Sequence, residues 1–381
     1  MKNVTISMII SVFLVDSIQC QNSERKTCTM SECFDFSRCE SSKKVYIHPM
    51  EKQFEEAPQS GIYEKILKHF QESDYFTNDP NEACLFVLGI DTTDRDVRSQ
   101  NYVKNVAEYI GSLDAVVWNG GRNHIIFNFY HGTFPDYDDH NLNFDSGEAM
   151  IARASSSQNN FFKGFDISLP LFHENHPYQI ESKRTKEQKE PIDDNEGRRY
   201  LVSFKGKRYV YGIGSGTRNL VHHLHNGDDI VMVTTCKHNN DWQVYQDERC
   251  QRDNEEYERW EYDELLANST FCLVPRGRRL GSFRFLETLR SGCIPVVISD
   301  SWILPFSETI DWRRAAIVVA ERDALTIPEL LMSTSRRRVR DLRASARDVY
   351  DGYLRSIQVI SDHVMRIVFK RIDDHFSNRS H

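Results

Sequence analysis

The chain has 381 residues, 39% of them hydrophobic, with 22 Phe and 16 Tyr. That is enough for two or three packed domains and too aromatic for a disordered protein. A formal net charge of -8 disfavours bulk nucleic-acid binding and leaves room for a local basic pocket.

Lys2 precedes an apolar run over 4–15, shorter than the roughly 20 residues a bilayer span needs. Residues 1–20 read as a secretory signal cleaved near Cys20, or as a signal anchor. Eight further cysteines permit four bridges: Cys28–Cys33, Cys39–Cys84, Cys236–Cys250 and Cys272–Cys293. Spacing does not fix that connectivity. Cys272–Cys293 has the best proximity argument, because both open apolar segments that flank one helical run. No CxxC pair occurs, so oxidising-compartment bridges are preferred to zinc. Asn268 and Asn378 begin glycosylation sequons, meaningful only in the secretory pathway.

Residues 21–42 form a cysteine-rich extension. A short strand follows at 44–48, then a helix over 63–70 with Ile62, Ile66, Leu67 and Phe70 on one face. The nearly unbroken apolar run 83–90 predicts a buried parallel strand. A helix over 103–113 and strands within 123–130, 150–154 and 166–170 complete a first α/β domain, 43–180. Residues 181–199 are a charged linker. A second α/β domain, 200–334, has strands at 200–204, 230–234, 271–274, 294–298 and 316–319. Its helices are predicted at 216–226, 258–267, 282–291 and 326–332. The tail, 335–381, is helical, with Val349, Leu354, Ile357, Ile360, Val364, Ile367 and Val368 as an apolar stripe fit to pack across the first domain.

The segment 271–298 is the most informative. It reads strand, loop, helix, strand, and its loop carries Arg276, Arg278 and Arg279, with Arg284 opening the helix and Glu287 one turn on. In an open α/β sheet, ligands bind beyond the carboxyl ends of the strands. Four arginines there select an anion, and a diphosphate carrying a hydroxyl-rich sugar fits, with Glu287 available to ribose hydroxyls. The alternative for Arg284 and Glu287 is a surface ion pair. Lys205, Lys207, Arg208 and Arg218 add cations at the end of the strand that opens the second domain, unless they are merely solvated. The glycines at 212, 214 and 216 lack the spacing of a dinucleotide loop. His238 and Tyr262 stand where strand-to-helix connections open.

In the first domain, Arg122, Asn123, His124 and Tyr130 are candidate saccharide contacts. Asp145, Glu148, Asp166 and His131 are base candidates by position alone, and no spacing singles one out. Asp94-Arg95-Asp96 is formally a D-x-D metal signal, but short enough to arise by chance. The arginines can neutralise a leaving diphosphate, so no metal is expected.

These motifs resemble the exostosin family of glycosyltransferases, in its glucuronosyltransferase-type domain. The matching residues are Phe204-Lys-Gly-Lys-Arg-Tyr209, the 212–219 loop, Phe271 through Glu287, 120–124, 165–170 and 304–307. The resemblance runs from near Cys28 over about nine tenths of the chain. It implies an α/β, GT-B-type fold: two facing Rossmann-like domains with a C-terminal helical tail. It also implies inverting transfer of glucuronic acid from UDP-glucuronate to terminal N-acetylglucosamine of heparan sulfate. Carried over by position, Lys205, Lys207, Arg218, His238, Tyr262, Arg278, Arg279, Arg284 and Glu287 form the UDP-sugar cleft. No tightly bound cofactor is implied. Gly216 stands where Asp is usual, and His131 where a small hydroxyl residue is usual. Family members act as hetero-complexes in the endoplasmic reticulum and Golgi lumen. The implied partner is therefore a longer exostosin-family enzyme with an N-acetylglucosaminyltransferase domain, acting on a heparan sulfate oligosaccharide. Two other roles are open to such a sequence: a subunit that activates its partner without catalysis, and a secreted lectin-like protein.

Overall fold

A computed structural model describes residues 27–172, 198–238 and 241–379. The expected signal over 1–20, Cys20 and most of the linker at 181–199 lie outside them.

Two five-stranded, wholly parallel sheets organise the chain. The first holds β1 (Lys44–Ile47), β2 (Ala83–Val87), β3 (His124–Asn128), β4 (Met150–Ala154) and β5 (Ile167–Leu169) in sequential order. Every residue of β2 to β5 is buried, so apolar side chains serve both faces and the strands read as runs rather than alternations. The second holds β6 (Tyr200–Lys207), β7 (Ile230–Thr235), β8 (Ser269–Pro275), β9 (Ile294–Ile298) and β10 (Ile317–Val318). Its order is β10-β9-β8-β6-β7. The chain therefore leaves β6 toward one edge and crosses back to β8 on the other side. The gap between those two strands is the topological switch point, where ligands of open α/β sheets bind.

Helices α1 (Met30–Cys33), α2 (Gly61–Gln71), α3 (Val106–Ser112) and α4 (Ala115–Trp118) belong to the first domain. Ser60 caps α2, accepting the Tyr63 N–H at 3.2 Å while its own hydroxyl donates to Asp91 at 2.6 Å. Such a cap satisfies an amide that the helix itself leaves unpaired. The second domain carries α5 (Ser215–His222), α6 (Cys250–Glu258), α7 (Tyr262–Ala267), α8 (Phe283–Arg290) and α9 (Ile327–Met332). The helix expected over 258–267 is thus α7, starting only at Tyr262, and α6 before it was not expected; Trp260 lies in the break between them. That indole donates to Glu256 at 2.7 Å, and its ring packs edge-on to Tyr200 at 5.8 Å.

The tail forms α10 (Arg336–Val349) and α11 (Ile357–Arg379). Leu354, Ile357, Ile360, Val364, Ile367 and Val368 are all buried, as the stripe requires. Across the first domain, His69 meets Asp362 at 2.8 Å and Phe36 stacks on His375 at 3.4 Å. The segment before the tail also crosses over: Gln158 N–H donates to the Ser301 carbonyl at 2.9 Å, and Phe306 N–H to that of Ser168 at 2.8 Å. One apolar core runs through both domains as a result. All four expected disulfides are present.

Candidate functional site

The loops that follow β6 and β8 meet at the switch point, and Arg218 ties them together. Its Nη1 donates to the Lys207 carbonyl at 2.6 Å and its Nε to the Arg276 carbonyl at 2.9 Å. Its guanidinium also lies 4.7 Å from the Tyr209 ring, a cation–π contact. Gly214 explains the glycine loop. It adopts φ +81°, and a Cβ there would stand 2.6 Å from the Gly277 carbonyl oxygen, so only glycine lets the two loops touch.

Gly206 plays a second such part. A Cβ on it would meet Arg284 Nη2 at 2.4 Å, so its absence lets that arginine lie against β6. Arg284 rests 4.5 Å over the Phe204 ring and donates to Tyr262 Oη at 3.1 Å. The phenol in turn donates to Glu287. Burial, with Glu287 beside it, pushes the Tyr262 phenol well up despite Arg284, so it stays a donor. Arg284 and Glu287 are therefore linked through a half-buried phenol. Arg284 is only 9% exposed, which corrects the surface-pair alternative.

Other expected cleft cations divide. Lys207 is exposed. Lys205 is buried, donates to the Trp260 carbonyl and lies 4.2 Å from the Tyr257 ring. Arg208 is fully buried in ion pairs with Asp247 and Asp253 at 2.6 and 2.8 Å, so it fixes the strand end and takes no ligand. His238 Nε2 accepts the Val210 N–H at 3.1 Å, and its Nδ1 has no hydrogen-bond partner among the described residues. Burial, then Arg278, lowers its pKa; the ring is a neutral tautomer with the proton on Nδ1.

Arg278 and Arg279 reach the facing domain. Arg278 Nη1 donates to Tyr137 Oη at 2.9 Å. Arg279 donates to the carbonyls of His131 at 2.6 Å and Gly132 at 2.9 Å, and pairs with Asp96 at 3.3 Å. Its side chain lines two cavities between the domains. The larger, about 510 Å³, is lined by His131, Asp139, Ser157, Arg276 and Arg278 among others. The smaller, about 360 Å³, is lined by Ser60, Thr93, Asp94, Tyr130 and Phe283 among others.

His131 is buried, with Nδ1 3.3 Å from the Asp138 carbonyl and Nε2 without a partner among the described residues. Burial, then Arg153, lowers its pKa to about 4. Burial works to raise the neighbouring Asp139, but the Ser157 N–H, Arg153 and Asn160 hold the carboxyl below its ordinary range. At neutral pH the wall thus presents a neutral imidazole beside a carboxylate. At its rim, Asp138, Asp139 and His140 bring possible metal-ligand atoms within 4.8 Å of one another.

Several expected first-domain site residues lie elsewhere. Asn123, with φ +62°, donates to the Asp35 carbonyl at 2.9 Å and the Cys84 carbonyl at 2.8 Å, fastening the N-terminal extension. His124 is buried, its Nε2 2.9 Å from that of His48. Arg122 pairs with Glu148 at 2.6 Å. All three sit at the upstream end of β3, and the strand's other end leads to Tyr130 and His131. Asp145 is exposed and accepts the Gly147 N–H at 2.8 Å just before β4. Asp166 is buried just before β5, accepting the Ile151 and Phe162 N–H groups at 3.0 Å. Both base candidates thus accept backbone N–H groups just before their strands, at the sheet end opposite Tyr130 and His131. Of the first-domain expectations, Tyr130 and His131 line the cleft. Sequence reasoning passed over Asp139 and Tyr137, named Tyr209 only within a motif, and weighed Asp94 only as a chance D-x-D metal signal. Asp94 was legible as a polar residue just past the apolar run at 83–90.

Two parallel α/β domains facing across an arginine-rich cleft, with a C-terminal helix returned to the first, define a glycosyltransferase of GT-B architecture. The chain belongs to the exostosin family: the Exostosin GT47 domain matches residues 39–334. It is 78% identical to the Exostosin-1 homolog of Caenorhabditis elegans over the full length of both chains. It is 48% identical to Exostosin-1 of Drosophila melanogaster, covering 95% of this chain and 47% of that one. With Exostosin-1 of Bos taurus the identity is 47%, covering 93% and 46%. The chain thus spans about half the length of the fly and bovine relatives. Among solved structures it is similar to AviGT4, a glycosyltransferase involved in avilamycin A biosynthesis, at 11% identity and a TM-score of 0.37 over 87% of this chain and 98% of that one. A likeness that distant carries no functional argument.

Proposed function

We propose that the chain transfers glucuronic acid, with inversion, from UDP-glucuronate to terminal N-acetylglucosamine of a heparan sulfate oligosaccharide. It acts in the lumen of the endoplasmic reticulum and Golgi, beside a longer exostosin-family partner that adds N-acetylglucosamine. One observation carries this reading: the buried Arg218 and Arg284 and the loop of Arg276, Arg278 and Arg279 converge on the switch point of the second sheet. A cluster of oriented guanidinium groups, those of Arg218 and Arg284 buried, is suited to a diphosphate whose charge grows as it leaves. The reading takes no metal and no tightly bound cofactor, with charge neutralisation assigned to the arginines. Support for the compartment comes from four disulfides, which persist under oxidising conditions. Support for the substrate comes from the similarity to proteins named Exostosin-1 and the motifs that the chain shares with the family.

Lys205 and Arg208 are satisfied by the protein's own groups. That leaves a second reading, in which the cleft is a structural remnant and the chain supports a catalytic partner. Isothermal titration of UDP-glucuronate against the purified chain separates them. Micromolar binding weakened at least tenfold by Arg284→Ala supports catalysis; no binding favours the supporting role.

A further inference from the structure

The smaller interdomain cavity, about 360 Å³, is of the size that small-molecule sites take. Tyr130 and Phe283, their rings 6.1 Å apart, form an apolar wall. Ser99, Asn101 and Thr93 supply hydroxyl and amide groups, and Asp94, Asp96 and Arg279 supply charge. Aromatic surface with a polar rim is the chemistry that holds a pyranose: C–H faces lie on rings while hydroxyls pair at the edge. The larger cavity holds Arg276 and Arg278 beside Asp136, Asp138 and Asp139. Arg279 lines both cavities, so they adjoin.

Among the described acidic residues that line the smaller cavity, Asp94 is buried, at 7% exposure. It follows β2, bridges to Tyr130 and accepts the Asp96 N–H at 2.9 Å. Asp96 is paired with Arg279 at 3.3 Å, which leaves Asp94 as the excess negative charge of the cavity. That charge opposes a second carboxylate and admits a neutral sugar.

We propose that the smaller cavity seats the neutral terminal sugar of the acceptor oligosaccharide, and that Asp94 receives the proton of its attacking hydroxyl. This rests on the transferase reading above. In the step, the acceptor O–H bond breaks and its proton passes to an Asp94 carboxylate oxygen. The freed electron pair forms the new bond to the anomeric carbon. The bond from that carbon to the phosphate oxygen breaks, and its pair leaves on the diphosphate, which the arginines hold. Burial raises the Asp94 carboxyl above its ordinary range, against the bonds from Ser99 and the Asp96 amide, which strengthens its carboxylate as a base.

The test uses two variants. Asp94→Asn is nearly isosteric and removes the proton acceptor. Asn101→Trp changes an exposed rim residue and fills the cavity. Acceptor binding to the full chain is measured by saturation-transfer NMR in the presence of UDP, with oligosaccharides ending in N-acetylglucosamine or in glucuronate. Glucuronate transfer is measured on the complex with the longer partner. We expect preference for the neutral end, at least a tenfold loss of acceptor affinity in Asn101→Trp, and unchanged UDP affinity in both variants. Asp94→Asn should keep acceptor binding and lose transfer about 100-fold or more, the low end of general-base contributions. Unaltered acceptor affinity in Asn101→Trp, or preference for the uronate end, overturns the seat. Transfer retained by Asp94→Asn overturns the proton role. A wild-type complex that binds both ligands yet transfers no glucuronate overturns the proton role and the transferase reading together, and the binding arm still decides the seat.

Discussion

Arg279, on the loop after β8, donates from Nε to the carbonyl of His131, on the loop after β3, at 2.6 Å. That bond joins the Arg278–Tyr137 contact in clasping the two domains together, and the Arg279 side chain lines both cavities between them. Arg279→Ala should increase amide exchange across residues 131–140 while leaving β8 protected. A charge-assisted bond of this kind contributes about 1.5–3 kcal/mol, so tenfold or more in the local opening constant is expected. Hydrogen exchange with mass spectrometry reads it. Unchanged protection of 131–140 would show that the clasp is dispensable.

The pocket around Arg284 is open to a similar test with a backbone control. Arg284→Ala should weaken UDP binding by about 1.5–3 kcal/mol, the scale of one charge-assisted contact. Gly206→Ala should weaken it too without touching the arginine's identity, since the added methyl occupies the space of Nη2. Its thermal midpoint should change little, because the flexible end of Arg284 can swing away. Titration calorimetry on both variants suffices. Native UDP affinity in a folded Gly206→Ala protein contradicts the placement of Arg284.

The bridge Cys272–Cys293 closes a loop with a sequence separation of 21 around β8, the arginine loop and α8. Replacing both cysteines with alanine should cost roughly 3 kcal/mol, measured as a shift in urea midpoint. Peptide mapping without reduction should find no free thiol among the eight cysteines after Cys20. A reactive thiol at Cys272 or Cys293 in native protein contradicts the pairing.

Acid should destabilise the fold through buried imidazoles. His48 and His363 titrate at about 4 and His124 at about 3, each lowered first by burial. The unfolded chain takes up those protons near pH 6.5. Between pH 6.5 and about 4 the unfolded state therefore binds more protons, and stability falls as pH falls. Asp91 and Asp94 are raised by burial and act in the opposite sense, so the slope is best isolated by difference. His363 Nε2 lacks a hydrogen-bond partner among the described residues, and its ring lies against Phe306 and Tyr353. His363→Phe should flatten the urea-midpoint slope between pH 6.5 and 4.5. An identical slope in the variant contradicts a buried neutral His363.

Much of the second domain was legible because parallel strands buried on both faces must be apolar runs, and because cations gathered just past their carboxyl ends. The same rule, applied strictly, would have excluded Asp145 and Asp166, which precede β4 and β5, and Arg122, Asn123 and His124, which open β3. It would have promoted Asp94, which follows β2. Polarity was read there without strand direction. The break between α6 and α7 was hidden for a different reason. Trp260 leaves the helical path to pack on Tyr200, a contact 60 residues distant that no local pattern signals. Nor could spacing show that Arg208 is consumed by Asp247 and Asp253 while its neighbour Lys207 stays exposed.

The central claim is that the arginine cleft is a working glucuronosyl donor site. It is tested most directly by incubating the purified chain, alone and with the proposed longer partner, with radiolabelled UDP-glucuronate and an oligosaccharide ending in N-acetylglucosamine. The account predicts label in the oligosaccharide, lost on Arg284→Ala and Glu287→Ala in this chain while partner association is kept. Label that persists undiminished in both variants, or that never appears although UDP binds, contradicts it.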